Sequence, residues 1–252
     1  MGHYVESVRL DRELLFGDLR LPEGEEYIRT LPAVKHLDKL DLSDVTFIVG
    51  ENGTGKSTLI EAIAVRCGFN AEGGSKNFDF STRKSHSMLA QFISVDRTLK
   101  RPRDGYFLRA ESFYNVATEI ENLDAQPAAS PKLITGYGGR SLHEMSHGES
   151  FFALMTNRFF GNGLYILDEP EAALSASRVM AMLTLMHDLI ERDSQFIIST
   201  HSPILLAYPG AKIYELSEDG ICETSYRETG TFRTMKQFLD QPERMAGYLT
   251  SD

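Results

Sequence analysis

Apolar residues in this chain fall into short unbroken runs separated by polar, glycine-bearing stretches. Val45-Thr46-Phe47-Ile48-Val49, Leu164-Tyr165-Ile166-Leu167 and Gln195-Phe196-Ile197-Ile198-Ser199 are too short for helices and are apolar on both faces. That is the pattern of strands buried in a parallel sheet. Helical spacing follows or separates them. It predicts helices from Gly55 to about Cys67, over 113–123 (Phe113, Val116, Ile120, Leu123), over 148–160 and over 177–190 (Val179, Met182, Leu183, Met186, Leu189). Val5–Leu10 reads as a strand and Tyr27–Arg29 as a second, short one. Gln91–Thr98 and Tyr106–Ala110 flank the turn-like Pro102-Arg103-Asp104-Gly105 and read as a β-hairpin. Segments 212–216 and 222–226 form a final hairpin, and two short helices near 235–239 and 242–248 follow. Residues 68–87 read as a surface loop and 125–131 as a linker.

Strands alternating with helices give an α/β class: a mostly parallel central sheet with helices on both faces. The hairpin-rich segments near 1–30 and 88–110 add an antiparallel β lobe. No internal repeat or long heptad run occurs.

The 252 residues are 42% hydrophobic, enough for a sizeable core in one large domain or a domain with a lobe inserted. A net charge of −10 argues against a constitutive nucleic-acid coat protein. Two cysteines, Cys67 and Cys222, suggest no disulfide framework and fit a reducing compartment. The first residues lack a charged-then-apolar signal pattern, and Glu6 breaks the myristoylation pattern after Gly2. The apolar stretch near 195–208 is interrupted by His201 and Pro203. A soluble, cytoplasmic protein is expected, and a membrane location is not.

The chemistry begins where the first buried run ends. Gly50-Glu51-Asn52-Gly53-Thr54-Gly55-Lys56-Ser57-Thr58 places Gly50, Gly55, Lys56 and Ser57 on the template G-x-x-x-x-G-K-[ST]. Backbone N–H groups from Gly50 to Thr58 would form an anion nest at a positive helix end. The ligand is then a nucleoside triphosphate with Mg²⁺. Lys56 would reach the β- and γ-phosphates, and the Ser57 hydroxyl would bind the metal.

Two further buried strands end in polar residues. Leu164–Leu167 runs into Asp168 and Glu169. A strand there delivers Asp168 beside the phosphate loop to hold Mg²⁺, and Glu169 could act as general base toward water. Gln195–Ser199 runs through Thr200 to His201, and His201 could hydrogen-bond the γ-phosphate or the attacking water.

With these motifs in order, the chain resembles the ABC class of P-loop ATPases. The phosphate loop is followed by a signature-like Met145-Ser146-His147-Gly148-Glu149-Ser150, then Asp168-Glu169-Pro170, a D-loop-like Ala172-Ala173-Leu174-Ser175, and His201. The resemblance covers residues about 1–217. It is closer to the soluble ABC ATPases, such as SMC, double-strand-break-repair and RecF-type heads, than to transporter subunits. Within them, Gly105–Phe113 and Ser146–Phe151 are similar to small stand-alone bacterial ATPases of the AAA/ABC type.

The resemblance implies a P-loop fold of ABC type, one domain over 1–252. Its helical signature subregion would span about 111–160, and its C-terminal hairpin and helices about 210–252. It also implies a head-to-tail homodimer on ATP binding. One copy would supply Lys56, Ser57, Asp168, Glu169 and His201, and the other Ser146 and Gly148. Ser146 at the head of an apolar-periodic segment suits a helix cap facing an anion. Three positions depart from the family pattern. His147 replaces a glycine of the signature, Ser175 stands where the D-loop has aspartate, and no Q-loop glutamine is evident. Glu111 is the first candidate there, joining Ser57 and Asp168 at the metal, with Arg109 second and Gln91 third. Tyr4 and Tyr27 are guesses for the aromatic residue stacked on adenine.

His143-Glu144-Met145-Ser146-His147 spells H-E-x-x-H, a zinc-helix motif, but the surrounding glycines oppose one continuous helix. Arg83, Lys84, Arg97, Lys100, Arg101 and Arg103 gather basic charge that suits a phosphate backbone or merely a solvated tip. The client of such an ATPase is then DNA or another protein. The competing readings are a transporter's nucleotide-binding subunit, a non-hydrolysing ATP switch and a small-molecule kinase.

Overall fold

The computed structural model describes residues 3–75, 87–110, 113–125, 132–137, 139 and 141–250. In chain order its strands and helices are β1 (Val5–Leu10), α1 (Arg12–Phe16), α2 (Pro32–Lys35), β2 (Lys39–Asp41), β3 (Val45–Gly50), α3 (Lys56–Arg66), β4 (Ile93–Arg97), β5 (Asp104–Arg109), α4 (Phe113–Ala125), α5 (His147–Arg158), β6 (Gly163–Asp168), α6 (Ala176–Ile190), β7 (Gln195–Ser199), α7 (Pro203–Leu206), β8 (Lys212–Ser217), β9 (Gly220–Thr224), α8 (Gly230–Asp240) and α9 (Pro242–Thr250).

Six strands form the central sheet in the order β5-β6-β7-β3-β8-β9. The first five run parallel, and β9 folds back antiparallel on β8 at the edge. Both faces are buried, and side chains alternate between them with the period of two that a strand dictates. Phe47, Tyr165, Leu167, Phe196 and Ile198 face one core with α4 to α7, while Ile48, Ile166, Ile197 and Tyr214 face the other with α3. Beyond α3 lies a second, three-stranded antiparallel sheet, β2-β1-β4. The α/β class expected from the sequence, with its antiparallel lobe and helical subregion, is the architecture observed.

One buried residue fastens the two sheets. Gln195 opens β7 with no exposed surface. Its Oε1 accepts from Tyr4 N and Val5 N, both at 2.9 Å, and its Nε2 donates to Val5 O at 2.8 Å and Ser43 O at 3.0 Å.

Two expectations are corrected. Residues 91–110 do not form a hairpin. β4 pairs with β1 in the small sheet, whereas β5 pairs in parallel with β6 in the central one. The burial pattern explains the split: β5 is buried at four consecutive positions, from Gly105 to Leu108, as a strand covered on both faces must be, and β4 is covered on one face only. Tyr27–Arg29 belongs to a 3₁₀ turn, Glu26–Arg29, and is not a strand. Part of the 68–87 loop and most of the 125–131 linker lie outside the described residues.

Candidate functional site

The carboxyl ends of β3, β6 and β7 lie side by side, and each delivers one part of the site. β3 hands over to the loop 50–55 and then α3. Gly55 makes that turn at φ +92°, a conformation side-chain-bearing residues rarely adopt. Lys56 is buried, and its Nζ folds back to donate to Glu51 O at 2.9 Å, inside the loop. Burial lowers the Lys56 ammonium from its ordinary value, and the charges of Glu169, Asp168 and Glu171 oppose that shift.

Asp168 ends β6 and is 4% exposed. Its Oδ1 accepts from Ser57 Oγ at 3.1 Å and from Ser199 Oγ, at the end of β7, at 2.5 Å. Arg109 Nε, at the end of β5, lies 3.6 Å from the other oxygen. Burial pushes the Asp168 carboxyl up, while the Ser199 hydroxyl, Arg109 and the Ser57 hydroxyl pull it back. Arg109 also donates to Glu61 Oε2 on α3 at 2.6 Å.

Glu169 adopts the left-handed conformation, φ 51° and ψ 53°. Its N–H is shared between Ser199 O at 3.1 Å and Ser199 Oγ at 3.2 Å. Its Oε1 stands 3.2 Å from His201 Nε2, within ion-pair distance but without hydrogen-bond alignment. Glu171, in the 3₁₀ turn Pro170–Ala173, accepts at Oε1 from Thr200 Oγ1, His201 N and Ser202 N.

The donor set suits Mg²⁺. Ser57 and Asp168 offer hard oxygens to one point, and the acids Asp168, Glu169 and Glu171 stand against the cations Lys56 and Arg109. Among the described residues no three of His, Cys, Asp and Glu cluster as a complete metal cage. Magnesium needs none, since it keeps water and phosphate oxygens as ligands. Beside the loop a pocket of about 970 Å³ opens between Gly50, Glu51, Thr54 and His201 on one side and Thr231, Thr234, Met235 and Phe238 of α8 on the other.

Ser146 and Gly148 lie at the head of α5. Ser146 caps it, with its N–H 3.1 Å and its hydroxyl 2.7 Å from Glu149 Oε2. Gly148 is seated against the 170–173 turn: a Cβ there would stand 2.6 Å from Ala173 O and 2.9 Å from an Arg178 guanidinium nitrogen. Ser175, the D-loop position, precedes the first turn of α6, where its hydroxyl pairs with that of Ser177 at 3.1 Å and does not cap the helix.

The remaining candidates separate. Glu111 lies outside the described residues, as do Arg83 and Lys84. Gln91 is an exposed residue at the end of the 3₁₀ turn Met88–Gln91. Tyr4 is a core residue, 4% exposed with its hydroxyl donating to Asp193 O at 2.7 Å, and cannot stack on adenine as placed. The two histidines of H-E-x-x-H share no helix, because the chain is extended at Met145 and Ser146 between them. Arg97 donates to Arg66 O, and Lys100 pairs with Asp193. Sequence reasoning missed Ser199 and Glu171. A hydroxyl closing a buried strand beside an acidic strand end was the available signal for the first. For the second, only the tertiary contact shows it.

A phosphate loop between β3 and α3, with β7 between it and the acid-ended β6, defines a P-loop nucleoside triphosphatase. Comparison with known proteins narrows this. Residues 28–126 match a family model described as "AAA domain", and residues 133–207 one described as "AAA domain, putative AbiEii toxin, Type IV TA system". The tungstate uptake system ATP-binding protein TupC of Campylobacter jejuni is 22% identical over 84% of this chain and 70% of its own. The ABC transporter G family member STR2 of Medicago truncatula is 25% identical over 63% of this chain, which spans 24% of that protein's length. The SMC head domain of Thermotoga maritima overlays 88% of this chain and 99% of its own at 15% identity, with a TM-score of 0.46. These matches are to AAA-type domains and ABC-type ATP-binding proteins, and it is the ABC class of P-loop ATPases that the chain resembles.

Proposed function

We propose that the protein binds ATP with Mg²⁺ and hydrolyses it between two copies of itself arranged head to tail. The reading rests on one observation above all: Ser57, Asp168, Ser199, Glu169 and His201 converge at three adjacent strand ends around the loop that carries Lys56. Loop amides and Lys56 hold the β- and γ-phosphates. Ser57 and Asp168 hold Mg²⁺, which supplies charge neutralisation on the phosphates. Glu169 accepts the proton of the attacking water, and His201 orients the water or the γ-phosphate. Ser146 and Gly148 of the second copy place the positive end of α5 against the γ-phosphate. Within one chain Gly148 rests on the 170–173 turn, which directly follows Glu169, so docking of that helix lies one turn from the base.

The whole chain acts as one ATPase domain in the cytoplasm, and the dimer is a clamp on a DNA or protein client. ATPase rate against protein concentration, with and without DNA, tests this. A steep rise with concentration supports a shared site; a rate per chain that stays flat from nanomolar to micromolar protein removes it. DNA stimulation names the client class.

A second reading, the nucleotide-binding subunit of a membrane transporter, draws on relatives such as the tungstate uptake ATP-binding protein. Among the described residues no helix is long and apolar enough to cross a membrane, so this role needs a separate membrane partner. Co-purification from membranes with an integral protein would favour it.

A further inference from the structure

Resting on the reading of Glu169 and His201 as a hydrolytic pair, we infer that Glu171 is a positioning residue that sets His201 and ties it to the turn on which the signature helix sits. Three donors converge on a single oxygen of its carboxylate. Thr200 Oγ1 donates at 2.7 Å, His201 N at 2.5 Å and Ser202 N at 3.1 Å. Two consecutive backbone amides and a hydroxyl thus form a small anion nest just past the end of β7, and Glu171 fills it. The Thr200 hydroxyl is braced in turn, accepting from Ser202 N at 2.9 Å. The backbone from which His201 projects is therefore defined by a side chain thirty positions earlier.

The other end of this connection is equally fixed. Leu174 N donates to Glu171 O at 2.9 Å, closing the 3₁₀ turn, and Ala173 O of that turn is the group against which Gly148 packs. Asp168, Glu169 and Glu171 are each bonded to the 199–202 segment, so the two strand ends form one stapled unit. A shift of α5 pressing on Ala173 is carried through Glu171 to the amide of His201. Toward His201 its role is geometric, since the bonded oxygen faces only neutral donors.

The geometry predicts different behaviour for shape and for charge. Glu171→Gln keeps an acceptor oxygen at the same reach and recovers most of the wild-type kcat. Glu171→Asp keeps the charge but falls a methylene short, and Glu171→Ala removes the acceptor. Both lose about 10- to 100-fold in kcat, with KM for ATP within about twofold of wild type, the scale expected when a catalytic group is displaced by about 1 Å. In the His201→Ala background, Glu171→Ala adds no further loss beyond about twofold, since residues that act as a unit are not additive. Overturning results are an Asp variant that holds while the Gln variant falls, an equal loss in Gln and Ala, or a multiplicative loss in the double variant. If Glu171→Ala does not fold, the Asp and Gln pair decides. A readout independent of turnover is the ring ¹³C–¹H signal of His201 in nucleotide-free protein. It moves in Glu171→Asp and stays in Glu171→Gln; a signal unmoved in Glu171→Asp overturns the inference. A wild-type chain that turns over no ATP sinks the proposed function, while this ring signal still judges Glu171.

Discussion

Glu169 Oε1 and His201 Nε2 lie 3.2 Å apart across the ends of two adjacent strands, each side chain about one-third exposed. A carboxylate facing an imidazole at the mouth of a phosphate loop has the placement expected of a base beside its orienting partner. Glu169→Gln keeps the size and removes the proton acceptor. The variant is expected to bind ATP with near-wild-type affinity, to accumulate as a nucleotide-bound dimer and to lose about 10²- to 10⁴-fold in turnover. Size-exclusion chromatography with ATP and single-turnover phosphate release check this together. Unchanged phosphate release removes Glu169 as the base.

Gly148 tests the seat of the signature helix. Its close approach to Ala173 O leaves no room for a methyl group. Gly148→Ala is expected to push the head of α5 off the 170–173 turn and lower stability by about 1–3 kcal/mol. ATP binding to the same chain's loop should persist while hydrolysis falls. A thermal melt and a nucleotide titration separate the two effects. A variant that hydrolyses ATP normally shows the seat to be irrelevant to catalysis.

Gln195 is a test of the link between the sheets. Gln195→Ala leaves Tyr4 N, Val5 N, Val5 O and Ser43 O without their partner. Each buried polar group left unpaired costs about 1–3 kcal/mol, so the loss should exceed that of an ordinary core substitution. Urea unfolding should show it, with the amides of Tyr4 and Val5 losing hydrogen-exchange protection first.

Tyr165 carries a pH dependence. Its hydroxyl donates to Asp104 Oδ2 at 2.8 Å and accepts from the amides of Phe160 and Gly161. Burial first, and then the Asp104 charge, push its phenol well above the ordinary tyrosine value. The folded chain therefore holds this proton more tightly than the unfolded one. The resulting stability is complete below about pH 10, the unfolded value, and is lost as pH rises toward the folded value. Tyr165→Phe should cost about 1–3 kcal/mol at neutral pH, since Gly161 N loses its acceptor and Asp104 Oδ2 one of its two donors, and should flatten the alkaline decline. Unfolding curves from pH 8 upward read both effects.

The legible parts of this chain were those whose signal is local. β3, β6 and β7 are continuous apolar runs ending in chemistry-bearing residues, and the loop 50–58 is a contiguous pattern. β4 and β5 were not legible as they are. Pro102-Arg103-Asp104-Gly105 is a strong local turn signal, but the partners of the two strands lie far away, at Val5–Leu10 and Gly163–Asp168, and long-range pairing decided against the turn. Continuous burial in Tyr106-Phe107-Leu108 against one-sided burial in β4 was the cue. Glu171 was hidden for a related reason, because its meaning resides in the amides of His201 and Ser202, which no spacing rule connects to it.

The left-handed backbone at Glu169 carries a consequence for engineering. A side-chain-bearing residue in that region costs roughly 1–2 kcal/mol, a penalty glycine does not incur. Glu169→Gly should therefore raise the melting temperature while abolishing hydrolysis. Selection for heat resistance alone would drift toward a sturdier and inert molecule, so a thermostability screen of this chain needs an activity gate at that one position.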